Sequence, residues 1–147
     1  MIKENTPRIE TERLILRKFN DDDIEDMFLI YSDETVNEFL PWFPFKNQQE
    51  AREYLYHNIY EDYKKPIGYR YAVEYKETGH VIGYVSIHGI DEEKKNGFLS
   101  VSATHDQKNP KSGRVMEKLG MTYRYCYDEM WQLKNIKVVF NYYQIDF

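Results

Sequence analysis

The segment at residues 109–120 constrains the fold more than any other part of the sequence. Asparagine is a favoured helix N-cap and proline a favoured first helical residue, so Asn109-Pro110 predicts a helix start. Gly120 is predicted to end the helix. The buried stripe is predicted to be Val115, Met116 and Leu119. Because strand-like segments lie on both sides of this helix, the chain is expected to pack it against a sheet.

Patterns along the rest of the chain predict short strands and two further helices. One helix follows Asn20 and its acidic run, and the other follows Asn47 and is predicted to continue to about Asp62. The predicted strands are residues 13–19, 68–76, 80–90, 98–104, 121–132 and 136–146. The order β-α-α-β-β-β-α-β-β predicts an α+β (α/β mixed) fold, with a single mixed, mostly antiparallel sheet flanked by helices.

Composition narrows the class of protein. The 147 residues suit a single domain over residues 1–147. The net charge of −5 lacks the basic excess of a general nucleic-acid binder, so no nucleic-acid partner is expected. Cys126 is the only cysteine, which excludes an internal disulfide and suits a reducing compartment. No stretch approaches the roughly 18–20 apolar residues of a membrane span. A cytoplasmic protein with no membrane partner is expected.

Three segments carry a resemblance to a known family. They are residues 11–17 (TERLILR), 81–86 (VIGYVS) and 102–121 (SATHDQKNPKSGRVMEKLGM). In this order and spacing they resemble the GNAT superfamily of N-acetyltransferases, in its ribosomal-protein acetyltransferase branch. The resemblance implies an enzyme that transfers an acetyl group from acetyl-CoA to a primary amine, on a protein N-terminus or on a small molecule.

The sequence departs from the family pattern at one place. The family has a Gln/Arg-x-x-Gly-x-Gly/Ala turn, whose backbone N–H groups hold the pyrophosphate of coenzyme A at a helix N-terminus. No two of the seven glycines lie two residues apart, so that turn is missing. With it, one strand and one helix are missing between Asn96-Gly97 and Phe98-Leu99.

Three explanations of this gap stay open. Residues 91–97 could join the flanking strands into a sheet with one strand fewer. A partner chain could fill the gap in a homodimer, because an open sheet exposes strand edges. The missing residues could also belong to the protein but not to this sequence.

The resemblance implies which residues bind acetyl-CoA, namely Thr104, Asn109 and Ser112. Asn109 would hydrogen-bond the pantetheine arm, and Ser112 would be the catalytic residue that protonates the leaving thiolate. Many family members carry a tyrosine four residues after the serine, but here Met116 stands there and has no proton to donate. The alternative is that Ser112 is an ordinary polar residue of the first helical turn, satisfied by the backbone.

The acceptor side of the reaction needs a base. The candidates are Glu74, Tyr71, His88 and Glu129. An α-amine with a pKa near 8 costs only about 1.4 kcal/mol to deprotonate at neutral pH, against roughly 4.6 kcal/mol for a lysine side chain. The residues predicted to bind the substrate are Trp42, Tyr71 and Glu74. The aromatic segment at residues 42–45 (WFPF) could wall the substrate cleft or cap the core, and the sequence leaves both open.

No metal site is predicted. The four histidines and Cys126 show no ligand spacing, and the three aspartates at residues 21–23 are expected to cap a helix.

The missing pyrophosphate turn favours an alternative function, a catalytically silent GNAT derivative that acts as a binding or assembly domain. An unrelated α+β interaction module is the third reading.

Overall fold

In the computed structural model, the described residues are 5–66, 68–87 and 100–147. Contacts divide the chain into two compact units. Unit 1 comprises Met1–Asn37 and Pro44–Ile90, and unit 2 comprises Glu38–Phe43 and Asp91–Phe147. The predicted turn at residues 91–97, the start of the strand at Phe98-Leu99, and His88 lie outside the described residues.

Unit 1 contains a four-stranded antiparallel sheet in the order β1-β2-β3-β4. Its strands are β1 (Ile9–Glu10), β2 (Leu14–Arg17), β3 (Arg70–Tyr75) and β4 (Val81–Ser86). A tight turn joins β3 to β4, and Gly79 takes the left-handed conformation there, with φ of 73°. Glycine adopts this conformation without a steric cost, which is why the Glu77-Thr78-Gly79 signal predicts the turn.

The helices of unit 1 begin at the predicted caps. A short 3-10 turn (Asp21–Asp23) leads into α1 (Ile24–Ser32), and α2 (Glu34–Asn37) follows. The Asn47 side chain accepts a hydrogen bond from the Glu50 N–H at 3.1 Å and opens α3 (Gln48–Tyr54). The helical path continues through a π turn (Leu55–Ile59) into α4 (Tyr60–Tyr63). The prediction of one long helix to about Asp62 is confirmed, but the π turn within it was not predicted.

The core of unit 1 is aromatic at its centre. The Tyr31 ring lies between the rings of Phe45 and Tyr84, with centroids 4.9 Å and 5.0 Å away and nearly parallel planes. Tyr31 is buried, and the backbone N–H of Phe45 donates to its carbonyl at 3.0 Å. Phe45 therefore caps the core, as one of the two readings of the aromatic segment predicted.

Unit 2 contains a three-stranded antiparallel sheet in the order β5-β7-β6. Its elements are β5 (Ser100–Asp106), α5 (Pro110–Lys118), β6 (Thr122–Trp131) and β7 (Ile136–Asp146). Asn135 turns the β6–β7 hairpin with φ of 50°, a conformation that asparagine tolerates better than most residues. The order of the long elements agrees with the predicted order, and the α+β class with antiparallel sheets flanked by helices is confirmed.

One detail of the predicted sheet is wrong: the described strands form two sheets, not one. Among them, β4 pairs only with β3, and β5 pairs only with β7. All pairings are antiparallel. Period-two alternation identifies a strand and its faces, but it does not identify the strand's neighbours.

The predicted buried stripe of α5 is wrong at two of its three residues, while the third, Met116, is half-buried. Val115 is 58% exposed and Leu119 is 66% exposed, and the residue that α5 buries is Gly113. A Cβ at Gly113 would lie 2.8 Å from Nε2 of His105 on β5. The helix approaches the sheet through this side-chain-free position, and Val115 and Leu119 consequently point away from the sheet.

Candidate functional site

The start of α5 presents two polar side chains. Asn109 occupies the N-cap position, yet its side chain makes no capping hydrogen bond. The backbone holds the turn instead, because the Asn109 N–H donates to the Asp106 carbonyl at 2.8 Å and the Ser112 N–H donates to the Asn109 carbonyl at 3.2 Å. The predicted cap is therefore right in position but not in mechanism. The Asn109 amide makes no hydrogen bond within residues 5–66, 68–87 and 100–147.

Ser112 and Thr104 complete the predicted cofactor-binding set. Ser112 is half-buried, and its Oγ hydrogen-bonds to no atom of residues 5–66, 68–87 or 100–147. Within those residues, the backbone does not satisfy this hydroxyl. Thr104 is exposed on β5, opposite Tyr142 of β7. All three predicted residues belong to unit 2.

A buried histidine supports the start of α5, and sequence reasoning did not single it out. His105 Nδ1 lies 2.7 Å from the Asp106 carbonyl oxygen, and Nε2 lies 3.5 Å from the Asn141 amide nitrogen. A carbonyl only accepts, so the geometry places the proton on Nδ1 and leaves Nε2 as an acceptor. The Asn141 amide oxygen in turn accepts from Gln107 at 2.9 Å. This network fixes the ring against which Gly113 packs.

Glu74, predicted as a base and substrate ligand, lies in an ion network of unit 1. Its Oε2 accepts from Arg17 Nε at 2.6 Å, and the same guanidinium makes two bonds of 2.8 Å to the Asp23 carboxylate. These hydrogen bonds, chiefly those to Asp23, raise the pKa of Arg17. Glu74 is thus held in an ion pair with Arg17, and it would have to break this pair before it could act as a base.

Tyr71 and Trp42 are placed differently from each other. Tyr71 is buried on β3, and burial raises the pKa of its hydroxyl, so that hydroxyl stays protonated near neutral pH. Trp42 belongs to unit 2 and is half-buried. Its indole N–H is buried and has no acceptor among the residues that the structure describes. Phe43 beside it is 58% exposed. Glu129, the remaining described base candidate, is exposed on β6.

The acidic run has structural partners, as predicted. Asp23 accepts from the Asn20 N–H at 2.8 Å and completes a capping box, while Asp21 accepts from the hydroxyls of Tyr56 and Tyr60, both at 2.7 Å. Within the described ranges, no group of three or more histidine, cysteine, aspartate or glutamate side chains could hold a metal. None of the helices in those ranges combines the length and apolar character of a bilayer span.

Comparison with known proteins agrees with this architecture. A family model described as "Acetyltransferase (GNAT) domain" matches residues 13–101. The N-acetyltransferase YoaA of Bacillus subtilis (strain 168), itself uncharacterized, is 26% identical over 93 residues, which are 63% of this chain and 52% of that protein. The chain thus spans about half the length of the curated relative it matches.

Solved structures share the fold. A GNAT-family acetyltransferase from Bacillus anthracis superposes with a TM-score of 0.77 at 22% identity, over 95% of this chain and 98% of that one. The spermidine N-acetyltransferase from Vibrio cholerae, solved with CoA and spermine, gives a TM-score of 0.62 at 14% identity, over 92% of this chain and 96% of that one.

Antiparallel sheets flanked by helices are the architecture of GNAT acetyltransferases. Since the family match covers more than half of the sequence, the chain belongs to the GNAT acetyltransferase family. The family predicted from sequence is confirmed. The match ends at Val101, so the segment at residues 102–121, which carried most of the resemblance, lies beyond it.

The start of α5 fits the pantetheine arm of acetyl-CoA. That arm carries amide groups that both donate and accept hydrogen bonds, and an asparagine amide and a serine hydroxyl can each do both. Asn109 and Ser112 are half-buried and make no side-chain hydrogen bond within the described chain. They are the residues that would hold the arm.

Proposed function

We propose that this chain is an acetyl-CoA-dependent N-acetyltransferase that acts on a primary amine of a small molecule or a peptide. The observation that carries the proposal is the start of α5, where Asn109 and Ser112 both keep their side chains out of the helix-capping network. Family membership supplies the reaction class. Bound acetyl-CoA would supply the acetyl group as a thioester.

The residues of α5 then divide the work. Asn109 binds and orients through its amide, and Ser112 holds a transferable proton at Oγ. Met116 follows one turn later on the same side of the helix and has no proton to give. General acid catalysis of this kind contributes about 10²–10⁴ in rate.

The candidate bases indicate which kind of amine the enzyme accepts, because a weak base can deprotonate only an amine of low pKa. Glu74 is paired with Arg17, and the pKa of Tyr71 is raised by burial, so neither is poised to take a proton from a lysine side chain. An α-amine needs only about 1.4 kcal/mol to deprotonate at pH 7, which a water-relayed base can supply. We therefore favour a protein N-terminus or a small α-amine, in line with the ribosomal-protein branch.

We further propose that the protein is cytoplasmic, that its sequence is shorter than the family pattern by one strand-turn-helix unit between residues 97 and 98, and that it forms a homodimer. Light scattering tests the pairing. A monomer at working concentration would overturn the homodimer.

A thermal shift measurement tests the proposed function. At 100 times Kd, acetyl-CoA should stabilise the fold by about 2.7 kcal/mol, which is roughly 5–11 °C in Tm for a chain of this size. Asn109→Ala should reduce the shift, and Asn58→Ala, an exposed asparagine of the π turn in unit 1, should keep it. No shift at millimolar acetyl-CoA would reject the proposal and favour the silent binding domain.

A further inference from the structure

Helix α5 turns a mixed basic and apolar face to solvent, here named the α5 outer face. It comprises Lys111, Arg114, Val115, Lys118 and Leu119. The two apolar members are 58% and 66% exposed. At helical spacings of three and four residues, the three cations lie beside Val115 along one flank of the helix. This face exists because Gly113 takes the inner position against His105.

The cations of the α5 outer face differ from other cations of unit 2 in the ion pairs that the described residues form. None of the three forms an ion pair within the described chain, whereas Arg124 and Lys137 in the same unit pair with Asp146 and Asp128 at 2.8 Å. The chain as a whole carries a net charge of −5, so this cluster stands against the overall charge. Such a face attracts a partner that is acidic and partly apolar.

The α5 outer face borders the proposed cofactor site. Ser112 lies three residues before Val115, hence about 4.5 Å along the helix axis. A partner seated on the face would therefore have its edge next to the Ser112 hydroxyl, and Asn109 lies about 4.5 Å further along the helix axis. These side chains suit a pantetheine arm, while the turn that holds the pyrophosphate of coenzyme A is missing from the sequence.

We propose that the α5 outer face docks a small acidic carrier protein that presents the acetyl group as a thioester on its phosphopantetheine arm. The proposal rests on the proposed function, because Asn109 and Ser112 receive the same arm. In the transfer, the C–S bond of the thioester breaks and a C–N bond to the amine forms. The amine loses one proton and the released thiol gains one, so no other reactant is needed.

A second copy of the chain fits the α5 outer face less well. In a two-fold dimer the same patch meets itself, which would place Lys111, Arg114 and Lys118 of one copy against the same cations of the other. Like charges that meet across an interface oppose association. The acidic carrier meets the cations with opposite charge and can cover the two apolar side chains as well.

Calorimetric titration of the full chain tests the docking. The probes are an acidic acyl carrier protein with its phosphopantetheine arm (holo), the same protein without the arm (apo), and CoA. The holo form should bind, should weaken as salt rises, and should bind more tightly than the apo form. Arg114→Glu/Lys118→Glu should weaken it by about tenfold or more. The matched control Arg13→Glu/Lys46→Glu reverses two exposed, unpaired cations of unit 1 and should change affinity by less than about twofold.

The outcomes separate this inference from the proposed function. If acetyl-CoA raises Tm but the holo carrier does not bind, the docking is overturned and the proposed function stands. If neither ligand binds, both are overturned. If the control pair weakens carrier binding equally, the binding depends on the overall charge of the chain and not on the α5 outer face, which overturns the docking. A dimer that Val115→Ser/Leu119→Ser dissolves would assign the face to a second copy, which also overturns it.

Discussion

The contact between Gly113 and His105 gives the sharpest test of how α5 is placed. In a helix interior, Gly→Ala ordinarily stabilises by about 0.8–1.0 kcal/mol. Here the new Cβ would lie 2.8 Å from Nε2 of His105, a separation that real Cβ atoms essentially never show, and at a tight 3.0 Å from Cε1. Forcing extra carbon into a packed site costs about 1–3 kcal/mol. Gly113→Ala should therefore destabilise the protein by about 0–2 kcal/mol, against its helix propensity.

Whether Gly113→Ala stabilises or destabilises the protein depends on whether the His105 ring can move aside. Its ring is buried and held by a 2.7 Å hydrogen bond from Nδ1 to the Asp106 carbonyl oxygen. Rotating the ring away would break that bond and leave a buried donor without a partner, which costs about 1–3 kcal/mol. The other response is a shift of α5 away from β5, which would displace Asn109 and Ser112 as well.

A double-mutant cycle measures this coupling. Urea unfolding of the parent, Gly113→Ala, His105→Ala and the double variant gives the four free energies of unfolding. In the His105→Ala background the contact is gone, so Gly113→Ala should stabilise by the full helix term of about 0.8–1.0 kcal/mol. The reasoning is refuted if Gly113→Ala stabilises both backgrounds equally, because the two residues would then not be in steric contact.

Other predictions concern single groups. Arg17→Met should destabilise by about 3–5 kcal/mol in urea unfolding, because it leaves the buried Asp23 carboxylate without a counter-charge; a loss below about 1 kcal/mol would contradict this. Hydrogen bonds from tyrosine hydroxyls, chiefly that of Tyr60, lower the pKa of Asp21. The unfolded chain then binds this proton at higher pH than the fold does, so stability is lost as pH falls through the lowered pKa. Tyr60→Phe should flatten the acid limb of unfolding free energy against pH, and an unchanged limb would show that the bond does not form. Ser112→Ala should lower kcat, measured at saturating acetyl-CoA, by about 10²–10⁴, and an unchanged kcat would exclude Ser112 as the proton donor.

Local signals predicted the helices of unit 1 well. Asn47 caps its helix through its own side chain, and the path from Gln48 to Tyr63 follows the predicted length. These features depend on residues within a few positions of each other, where capping and periodicity act. The orientation of α5 could not be predicted in this way. Periodicity identified its apolar side, but the residue that packs against the sheet is Gly113. This position depends on His105, which lies opposite Gly113 and is outside the helix.

The candidate site was predicted only in part, for a similar reason. Family resemblance located Asn109 and Ser112, and their side chains are indeed outside the capping network. The supporting role of His105 depends on Asn141, which is 36 residues away, and nothing in the spacing indicates that pair. Glu74 was one of the base candidates, but its ion pair with Arg17 spans 57 residues and could not be read from the sequence. Such non-local partners appear only once the strands are paired.

The geometry of α5 links the fold to the proposed chemistry. A helix that buried Val115 and Leu119 would rotate its N-terminal turn with them and carry Ser112 toward the sheet. Because Gly113 lies inward instead, Ser112 stands about 100° around the helix from the buried position, on the border between the covered and open sides. The backbone closes the turn at Asn109, which frees its amide. One small residue against one buried histidine thus sets both the direction of the proposed proton donor and the exposure of the α5 outer face. Moving α5 by substitution at this contact should therefore affect acetyl-CoA binding and carrier docking together, whereas Arg114→Glu/Lys118→Glu should weaken docking more than it weakens acetyl-CoA binding.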